Sequence, residues 1–415
     1  MIKIKFPLIN LKGTISIPSS KSISNRLLLI KSIANSDQEI ENLSNAEDVM
    51  LLKQVLEENG YYKNFNDGAT PFRMMMAYCA ATAGEHFITG TDQLLKRPMR
   101  TLVEALNYLG GEVNYGYHND ETGYKIKGKQ LIGGRLVLDA SVSSQFVSSL
   151  LLVAPLMKRP LTLILKNAIV SAPYIEMTLS LMQRFGIKAE RQENEITIPN
   201  QKYSYKKTKV ESDWSAAAFW YNAVLFADEA SIKIPSIAMQ SLQGDAIVAH
   251  YYSRLGVATQ QEGRSIVLFK QSVAKTEEPL LFDMATCPDL FPALITACAV
   301  KNVEATFVNI QTLKYKESNR GLEMQRILES SGSEITVTDE SIKLVKGITW
   351  AEELNFEIPF DHRIAMAVST IAFTDCQVSF NNEDCIYKSY PDFYDHLTEV
   401  GARVTHTSLV TSEGN

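Results

Sequence analysis

The sequence contains few cysteines, and they form no recognisable framework. Five cysteines occur in 415 residues, an odd number, and none stands in Cys-x-x-Cys spacing. Disulfide-stapled folds need paired cysteines, and cysteine zinc sites need closely spaced pairs. The histidines at 86, 118, 250, 396 and 406 show no metal-ligand spacing either. We therefore expect a protein of a reducing compartment that has no disulfides and no metal site.

The chain also has no excess of positive charge and no long apolar run. Lys and Arg total 41 against 47 Asp and Glu, a net charge of −6, so a basic field for wrapping nucleic acid is not expected. The N-terminal segment has no apolar signal-peptide core. The most apolar stretch, residues 146–157, is too short and too interrupted by serine to span a bilayer. These absences predict a cytoplasmic protein with neither a nucleic acid nor a membrane as partner.

A repeated pattern organises what the sequence does contain. Six segments each combine a short strand, a polar turn (here called an elbow) and an unusually apolar helix. The elbows are marked by Arg26, Arg73, Gln145, Ser215, Asp289 and Arg363. After a shorter first interval of 47 residues, they recur every 70–74 residues. This period is too long for a solenoid and predicts several similar α/β subdomains, in line with the two or three domains that the length suggests.

The helices of these segments predict where they pack. Residues 146–156 and 293–300 are apolar nearly all round, which is typical of a helix that is buried on every side. The pattern therefore predicts helices inside and sheets outside. The polar segment 201–209 is the best internal boundary, with three repeats on each side of it.

The elbows are the candidate binding positions. A helix N-terminus presents unpaired N–H groups and a positive dipole, and so binds phosphate and carboxylate readily. The elbows and the short polar clusters between repeats add cationic side chains: Lys21, Arg26, Arg73, Arg97, Lys316, Arg320, Arg363 and Lys388. Each position also has a plainer interpretation, as a helix cap, a solvated charge or, for Tyr174, ordinary packing. Together they indicate a site for a ligand with more than one anionic group.

Eight motifs then occur in one order: SSKSISNR, KRP, DASVSSQF, SAPYIE, CPD, YKESNR, FDHRIAMA and YKSYPD. From about residue 10 to 400 they closely resemble the 5-enolpyruvylshikimate-3-phosphate synthase family, the 3-phosphoshikimate 1-carboxyvinyltransferases. The resemblance implies an α/β fold of the two-domain inside-out α/β barrel type. Each domain would consist of three βαβαββ units with buried helices. The implied domains are residues 1–18 plus 212–415, and an inserted domain of residues 19–211.

The resemblance also implies an activity. Members of this family transfer the enolpyruvyl group of phosphoenolpyruvate (PEP) to the 5-hydroxyl of shikimate 3-phosphate, through a tetrahedral intermediate, with release of phosphate. The reaction belongs to the shikimate pathway of aromatic amino acid biosynthesis. It needs no metal ion and no organic cofactor. The expected partners are therefore the two small-molecule substrates, and the expected state is a monomer.

Site residues follow from the resemblance, position by position. The residues expected to hold shikimate 3-phosphate are Ser22, Arg26, Ser143, Ser144, Gln145, Ser171, Tyr174 and Lys316. Those expected to hold PEP are Arg97, Gln145, Arg320, Arg363 and Lys388. The catalytic candidates are Asp289 as the base toward the 5-hydroxyl, Glu317 as the proton donor to carbon, and Lys21. The sequence leaves open which of these three groups is acid and which is base. In the implied domain scheme, the discontinuous domain carries the PEP-side arginines and the catalytic carboxylates, and the inserted domain carries the shikimate 3-phosphate side.

Two alternative functions stay open, one enzymatic and one non-catalytic. One is the sister enolpyruvyl transferase that acts on UDP-N-acetylglucosamine, whose typical form has a reactive Cys in a glycine-rich loop before Arg-Pro. Residues 91–98 contain neither Cys nor Gly. The other is a non-catalytic relative that binds phosphorylated ligands, and its support is the altered elbow at residues 67–73.

This chain departs from the family pattern at a few positions. Ala69 stands where glycine is usual and Asp67 where asparagine is usual. Thr312 replaces the usual asparagine, and Asn319 replaces the usual aspartate. None of these changes removes a cationic side chain, so the set of expected anion ligands stays complete.

The Ala69 methyl group leads to a prediction about inhibition. In the family the PEP site also binds the inhibitor glyphosate, and the methyl group would protrude into that site. We expect weakened glyphosate inhibition together with a raised KM for PEP, both measured in steady-state assays. Strong inhibition at low glyphosate concentration with a normal PEP affinity would contradict this expectation.

Overall fold

The chain forms two compact units in the computed structural model, which describes residues 1–7, 10–58, 60–139, 144–167, 171–273 and 278–406. The first unit, here called the split unit, comprises Met1–Pro18 and Glu211–Asn415. The second, the inserted unit, comprises Ser19–Val210. The inserted unit is therefore continuous in sequence and interrupts the split unit after its first two strands.

Short strands and helices alternate along most of the chain. The strands are β1 (Ile2–Lys5), β2 (Asn10–Thr14), β3 (Ile40–Glu41), β4 (Tyr62–Asn64), β5 (Gly84–Thr89), β6 (Glu112–His118), β7 (Glu121–Gly128), β8 (Gly134–Asp139), β9 (Leu161–Lys166), β10 (Glu190–Gln192), β11 (Glu195–Ile198), β12 (Thr208–Lys209), β13 (Glu229–Pro235), β14 (Val257–Glu262), β15 (Ser265–Lys270), β16 (Leu280–Asp283), β17 (Ala305–Val308), β18 (Glu334–Val337), β19 (Ser341–Lys346), β20 (Glu353–Phe356), β21 (Gln377–Phe380) and β22 (Arg403–His406). The helices are α1 (Lys21–Ile33), α2 (Glu47–Glu58), α3 (Ala69–Ala81), α4 (Asp92–Leu95), α5 (Arg100–Tyr108), α6 (Ser144–Val153), α7 (Ala172–Arg184), α8 (Trp214–Phe226), α9 (Val248–Ser253), α10 (Phe291–Lys301), α11 (Arg320–Glu329), α12 (His362–Ser369) and α13 (Phe393–Glu399).

The four-stranded sheets share one topology. Their strand orders are β4-β5-β7-β6 and β10-β11-β9-β8 in the inserted unit, and β14-β15-β13-β2, β16-β17-β19-β18 and β20-β21-β1-β22 in the split unit. Each sheet contains one parallel pair, such as β16 with β17, and otherwise antiparallel neighbours, such as β17 with β19. A parallel pair needs a crossover connection, and α10 supplies it between β16 and β17.

The first repeat is the exception. Strands β3 and β12 pair in parallel over two residues each, Ile40 with Thr208 and Glu41 with Lys209. This repeat also has the shortest interval to the next elbow.

The helices at the centre of the split unit are buried on every side. Every residue of α8 and α12 is buried, and in α10 only Lys301 is not. One buried polar side chain, Asn222, joins these helices through hydrogen bonds, as is usual for buried amides. The Asn222 amide donates to the Ala293 carbonyl at 3.2 Å and to Thr370 Oγ1 at 3.1 Å, and it accepts from the Tyr252 hydroxyl at 2.7 Å. The sheets instead alternate buried and exposed residues, as β16 does.

The cysteines belong to this packing. All five are free and buried, so each contributes an apolar side chain to a core. Within the described ranges, no helix combines the length and the apolar character that crossing a membrane requires.

The polar elbows of the sequence are the N-termini of these helices. Ser20 caps α1, Asp213 caps α8 and Asp361 caps α12, each through a side-chain oxygen that accepts a backbone N–H. Asn319 caps α11, which lies outside the six elbows, in the same way. Since the helices are buried, their polar ends are where charged groups collect.

Candidate active site

A group of opposite charges, here called the split-unit cluster, lies at the N-terminal ends of α10, α11 and α12. Its members are Asp289, Lys316, Glu317, Arg320, Asp361, Arg363 and Lys388. The Arg320 side chain is 1% exposed and contacts three carboxylates. Its Nη2 lies 2.6 Å from Glu317 Oε2, its Nε 2.9 Å from Asp361 Oδ2 and its Nη1 2.8 Å from Asp289 Oδ1. The guanidinium group uses its planar fork to hold all three.

Asp289 is the most strongly held carboxylate. Arg363 Nη2 lies 2.9 Å from its Oδ2, and Lys316 Nζ lies 3.0 Å from its Oδ1. Burial by itself raises the pKa of Asp289, but the positive charges of Arg363, Lys316 and Arg320 outweigh that effect. The pKa therefore lies well below its usual value, and Asp289 is ionised at neutral pH.

Glu317 lies between two cations. Arg320 contacts one of its oxygens, and Lys388 Nζ lies 3.7 Å from the other. The Glu317 side chain is 13% exposed, so a small ligand can reach it from solvent. Asp289, which is 17% exposed, shares this combination of cationic neighbours and partial exposure.

Asp361 explains why the cluster forms at the end of α12. Its Oδ1 accepts the backbone N–H of Arg363 at 3.1 Å and so caps the helix. Its Oδ2 accepts from Ser318 Oγ at 3.0 Å as well as from Arg320. One buried carboxylate therefore joins the start of α12 to the start of α11.

The same region contains a triad of metal-ligand types. Glu317, Asp361 and His362 offer atoms that lie within 4.8 Å of one another. Arg320 donates to both of these carboxylates. Because the guanidinium already supplies the positive charge between them, the arrangement favours an arginine-held pair over a metal centre.

In the inserted unit, Lys21 lies at the start of α1 and pairs with a carboxylate of α2. Its Nζ is 3.0 Å from Asp48 Oδ2, and both side chains are largely buried. Gly68, which precedes α3, lies close to the Asp48 carboxylate, since a Cβ at Gly68 would be 3.0 Å from Asp48 Oδ1. The N-terminal ends of three helices therefore meet around Lys21 and Asp48.

Gln145 joins two further helices of this unit. The Arg73 guanidinium donates to its Oε1, and its own amide donates to Thr70 Oγ1 at 2.9 Å. Arg73 also lies over the Phe146 ring, at 5.2 Å from the centroid. Ser144, which precedes Gln145 and is the first residue of α6, is buried. The other expected serine ligand, Ser143, lies outside the described residues.

Arg26 is 1% exposed and directs its donors into the protein. It donates to Thr178 Oγ1 at 2.7 Å, to Ser148 Oγ at 3.2 Å, and to the carbonyls of Ser22 and Tyr174 at 2.8 and 3.2 Å. Burial lowers its pKa to about 10, which leaves it charged at neutral pH. In this structure Arg26 links α1, α6 and α7.

The other expected ligands of the inserted unit lie at helix ends. Ser171 is buried and precedes α7 with a φ of 54°, a left-handed conformation that serine rarely adopts. Tyr174 follows in the first turn of α7, half-buried. Arg97 is half-buried and follows α4, where its backbone N–H donates to the Leu94 carbonyl at 3.1 Å.

The positions that depart from the family pattern have local roles. Asp67 accepts a hydrogen bond from Thr91 Oγ1, and Ala69 is buried at the first position of α3. Asn319 is exposed, and its side chain caps α11 by accepting from the Leu322 N–H at 3.5 Å. The Thr312 hydroxyl is buried and forms no hydrogen bond within the described part of the chain.

Two partners of the predicted residues are absent from the set of site residues that the sequence predicts, since Asp48 pairs with Lys21 and Asp361 binds Arg320. Arg73, which the sequence indicates as an elbow cation but not as a substrate ligand, binds Gln145. The sequence indicates Asp361 only as a helix cap, and Asp48 carries no signal beyond its place in the first turn of α2. The pairings of these two aspartates join residues that are far apart in the sequence, which no local pattern reveals.

The fold has close counterparts among solved structures. An EPSP synthase from Acinetobacter baumannii aligns with a TM-score of 0.78 at 20% identity, over 98% of this chain and 100% of that one. The enolpyruvyl transferase NikO from Streptomyces tendae aligns with a TM-score of 0.73 at 14% identity, over 98% of each chain. The chain therefore has the mixed α/β fold of enolpyruvyl transferases.

Sequence comparison narrows this class to a family. The profile of the EPSP synthase (3-phosphoshikimate 1-carboxyvinyltransferase) family matches residues 7–69 and 52–397. A 3-phosphoshikimate 1-carboxyvinyltransferase of Bacteroides fragilis is 34% identical over 394 residues, which cover 94% of this chain and 96% of that protein. One from Colwellia psychrerythraea is 29% identical over 425 residues, covering 95% and 98%. The chain belongs to the EPSP synthase family, and the resemblance read from the eight motifs is confirmed.

The charge pairing of Asp289 predicts a pH-dependent contribution to stability. Because its pKa is lowered on folding, ionised Asp289 stabilises the folded state above the unfolded-state pKa of about 3.9. Asp289→Asn should lower the free energy of unfolding by roughly 3 kcal/mol at pH 7. The difference from the unmodified protein should shrink as the pH falls below about 4.

Urea denaturation at pH 7 and at pH 3.5 measures both values. Asp339→Asn, an exposed aspartate of the same unit, is the matched control and should change little. An equal loss at both pH values, or a loss no larger than that of the control, would refute the assignment of a stabilising charge to Asp289.

Proposed function

We propose that this chain transfers the enolpyruvyl group of PEP to the 5-hydroxyl of shikimate 3-phosphate and releases phosphate, as a step of the shikimate pathway. The observation that carries the proposal is the family match over 94% of the chain, together with complete retention of the expected cationic side chains. Both substrates carry a phosphate and a carboxylate. A protein that binds them must offer several fixed positive charges.

The split-unit cluster supports binding of PEP. Arg320, Arg363 and Lys388 start from helix N-termini or an adjacent turn, and all three are buried and held by carboxylates. Arginine binds phosphate and carboxylate with two parallel hydrogen bonds, so prior positioning lowers the entropy cost of binding. Arg97 and Gln145 are the proposed PEP ligands from the inserted unit.

The inserted unit supports binding of shikimate 3-phosphate. The proposed ligands are Ser22, Arg26, Ser143, Ser144, Gln145, Ser171 and Tyr174, joined by Lys316 of the split unit. Serine hydroxyls and backbone N–H groups at helix starts suit the 3-phosphate, since they donate hydrogen bonds without adding bulk. Lys21 is proposed to touch both substrates.

The reaction needs one proton donor and one proton acceptor. Protonation of the PEP methylene carbon makes the adjacent carbon electrophilic, and the 5-hydroxyl oxygen attacks it while losing its proton. The tetrahedral ketal phosphate then loses a methyl proton as its carbon–oxygen bond to phosphate breaks. We assign the base role to Asp289, which is ionised, and the acid role to Glu317, with Lys21 able to share either task.

The finer architecture is also part of the proposal. We propose that each unit is an inside-out α/β barrel of three βαβαββ repeats, with the domain boundaries near residues 18 and 212. Support comes from the complete burial of α8 and α12 and from the repeated strand order. We further propose that the protein is a monomer that works in the cytoplasm without a nucleic acid, membrane or cofactor partner. The five free, buried thiols suit a reducing compartment such as the cytoplasm.

The first test is turnover. Full-length protein incubated with PEP and shikimate 3-phosphate should release inorganic phosphate, and release should require both substrates. UDP-N-acetylglucosamine in place of shikimate 3-phosphate should give none. Turnover with the UDP-sugar alone, or ligand binding without phosphate release, would contradict the proposed function.

The acid role of Glu317 predicts a kinetic effect of one substitution. Glu317→Gln retains shape and hydrogen bonding but cannot deliver a proton, so kcat should fall by about 100-fold or more while the KM values change much less. The matched control is Glu323→Gln. Glu323 lies on α11, which Glu317 precedes, and pairs with Arg326 at the same three-residue spacing that separates Glu317 from Arg320. A kcat of Glu317→Gln close to that of the control would disprove the assignment.

A further inference from the structure

A buried carboxylate next to the split-unit cluster has no role in the reaction described above. Asp245 lies in the short turn Gly244–Ile247, and its side chain is 3% exposed. Ser215 Oγ donates to its Oδ2. Its Oδ1 is buried and accepts no hydrogen bond within the described part of the chain. An ionised carboxylate in such a place is costly, because half of its acceptor capacity is unused.

Four titratable groups act on Asp245, and they come from the start of α8, the turn before α10 and the start of α12. Asp289 and Asp213 are anionic, and Arg363 is the cation whose charge acts on it; the Cys287 thiol is the remaining titratable neighbour. Asp213 is engaged at the start of α8, where it accepts from two backbone N–H groups of the first turn at 2.8 and 3.3 Å. The nearby cation is also shared, since Arg363 Nη2 binds Asp289 at 2.9 Å.

The balance of these effects favours the neutral acid. Burial, then the negative charge of Asp289, raises the pKa of Asp245 to about 7, against the opposing effects of Arg363 and the Ser215 hydroxyl. Asp245 therefore changes its charge near neutral pH, where Asp289 stays ionised.

The protonation state of Asp245 sets the net charge that a ligand of the split-unit cluster meets. Within the described residues, the split-unit cluster contains four cationic side chains and three carboxylates, and the negative charge of Asp213, which acts on Arg363, balances the remaining positive charge. Ionised Asp245 therefore gives this group of side chains a net negative charge, and protonated Asp245 leaves it neutral. A ligand that carries a phosphate and a carboxylate brings more negative charge than the cluster can neutralise when Asp245 is ionised.

We propose that Asp245 takes up a proton from solvent when a polyanionic ligand binds to the split-unit cluster, and that this proton sets the affinity for the ligand. The bound anion raises the energy of the ionised carboxylate, and formation of one O–H bond removes the repulsion. Asp245 does not touch the ligand. When it is ionised, its negative charge offsets the positive charge that Arg363 would otherwise offer to the ligand. The identity of the ligand as PEP rests on the proposed function.

The proposal fixes the direction of the pH dependence. Below about pH 6 Asp245 is already neutral, so ligand binding takes up no proton there. In that range the titration of Asp245 does not change the ligand affinity with pH. Above pH 7 the free protein must acquire the proton, so affinity falls by up to about tenfold per pH unit. The loss continues until the pH exceeds the pKa of Asp245 in the complex.

Calorimetric titration of the full chain with PEP at pH 8 tests the uptake directly. PEP is fully ionised at this pH, so its own phosphate contributes little. Titrations in HEPES and in Tris, whose ionisation enthalpies differ, give the number of protons taken up, and we expect close to one per site. Asp245→Asn should bind PEP with no uptake, and its affinity at pH 8 should approach its affinity at pH 6. Asp339→Asn is the control and should behave as the unmodified protein.

A second variant, Ser215→Ala, tests the inference independently in case Asp245→Asn does not fold. Ser215→Ala removes the hydroxyl that favours the ionised form of Asp245, so the pH at which PEP affinity begins to fall should shift upward by about one unit. Sulfate, which remains a dianion from pH 6 to 9, serves as a probe without a titration of its own. Its stabilisation of the protein in thermal unfolding should follow the same shift.

The outcomes separate this inference from the proposed function. If PEP binds without proton uptake, or if Asp245→Asn takes up as many protons as the unmodified protein, the inference is wrong while the function stands. If Ser215→Ala leaves the pH dependence of the PEP and sulfate effects unchanged, it is likewise wrong. If neither PEP nor sulfate binds at any pH from 6 to 8, the inference fails, and phosphate release with both substrates present decides separately whether the proposed function stands.

Discussion

The split unit depends on one buried interaction, the contact of the Arg320 guanidinium with Glu317, Asp361 and Asp289. An arginine that is 1% exposed is stable only if its charge is fully matched, because an unpaired ion loses its hydration on burial. Here the match comes from three carboxylates at three helix starts. The same carboxylates hold Lys316, Arg363 and Lys388, so the cationic set for a ligand is assembled before any ligand arrives.

This arrangement follows from burial of the helices. Helices such as α8 and α12 have no exposed face, and so their N-termini are the places where polar chemistry can concentrate. Capping residues occupy these ends, and in two cases they also take part in the charge network: Asp361 binds Arg320, and Asp213 acts on Asp245. The repeated strand-elbow-helix pattern thus creates the fold and, at the same elements, supplies the functional groups.

Much of this could be predicted from local sequence, and the remainder could not for a physical reason. Apolar runs predicted the buried helices. Of the eight cations that the elbows and polar clusters indicated, the structure brings together Lys316, Arg320, Arg363 and Lys388. The partner of Lys21 was missed because Asp48 lies on another helix, and only packing brings the two together. The inward-facing donors of Arg26 were missed because a motif gives residue type and not depth. Asp245 was missed since an isolated carboxylate carries no pattern at all.

The account is tested most directly by Arg320→Lys, which keeps the charge and removes the planar fork. One ammonium group cannot reach three separate carboxylates, so the account predicts a free energy of unfolding lower by about 3 kcal/mol and a KM for PEP raised at least about tenfold. Arg326→Lys, an exposed arginine of the same helix, provides the reference. Equal stability and equal KM values for the two variants would contradict the central claim that the shared guanidinium organises the site.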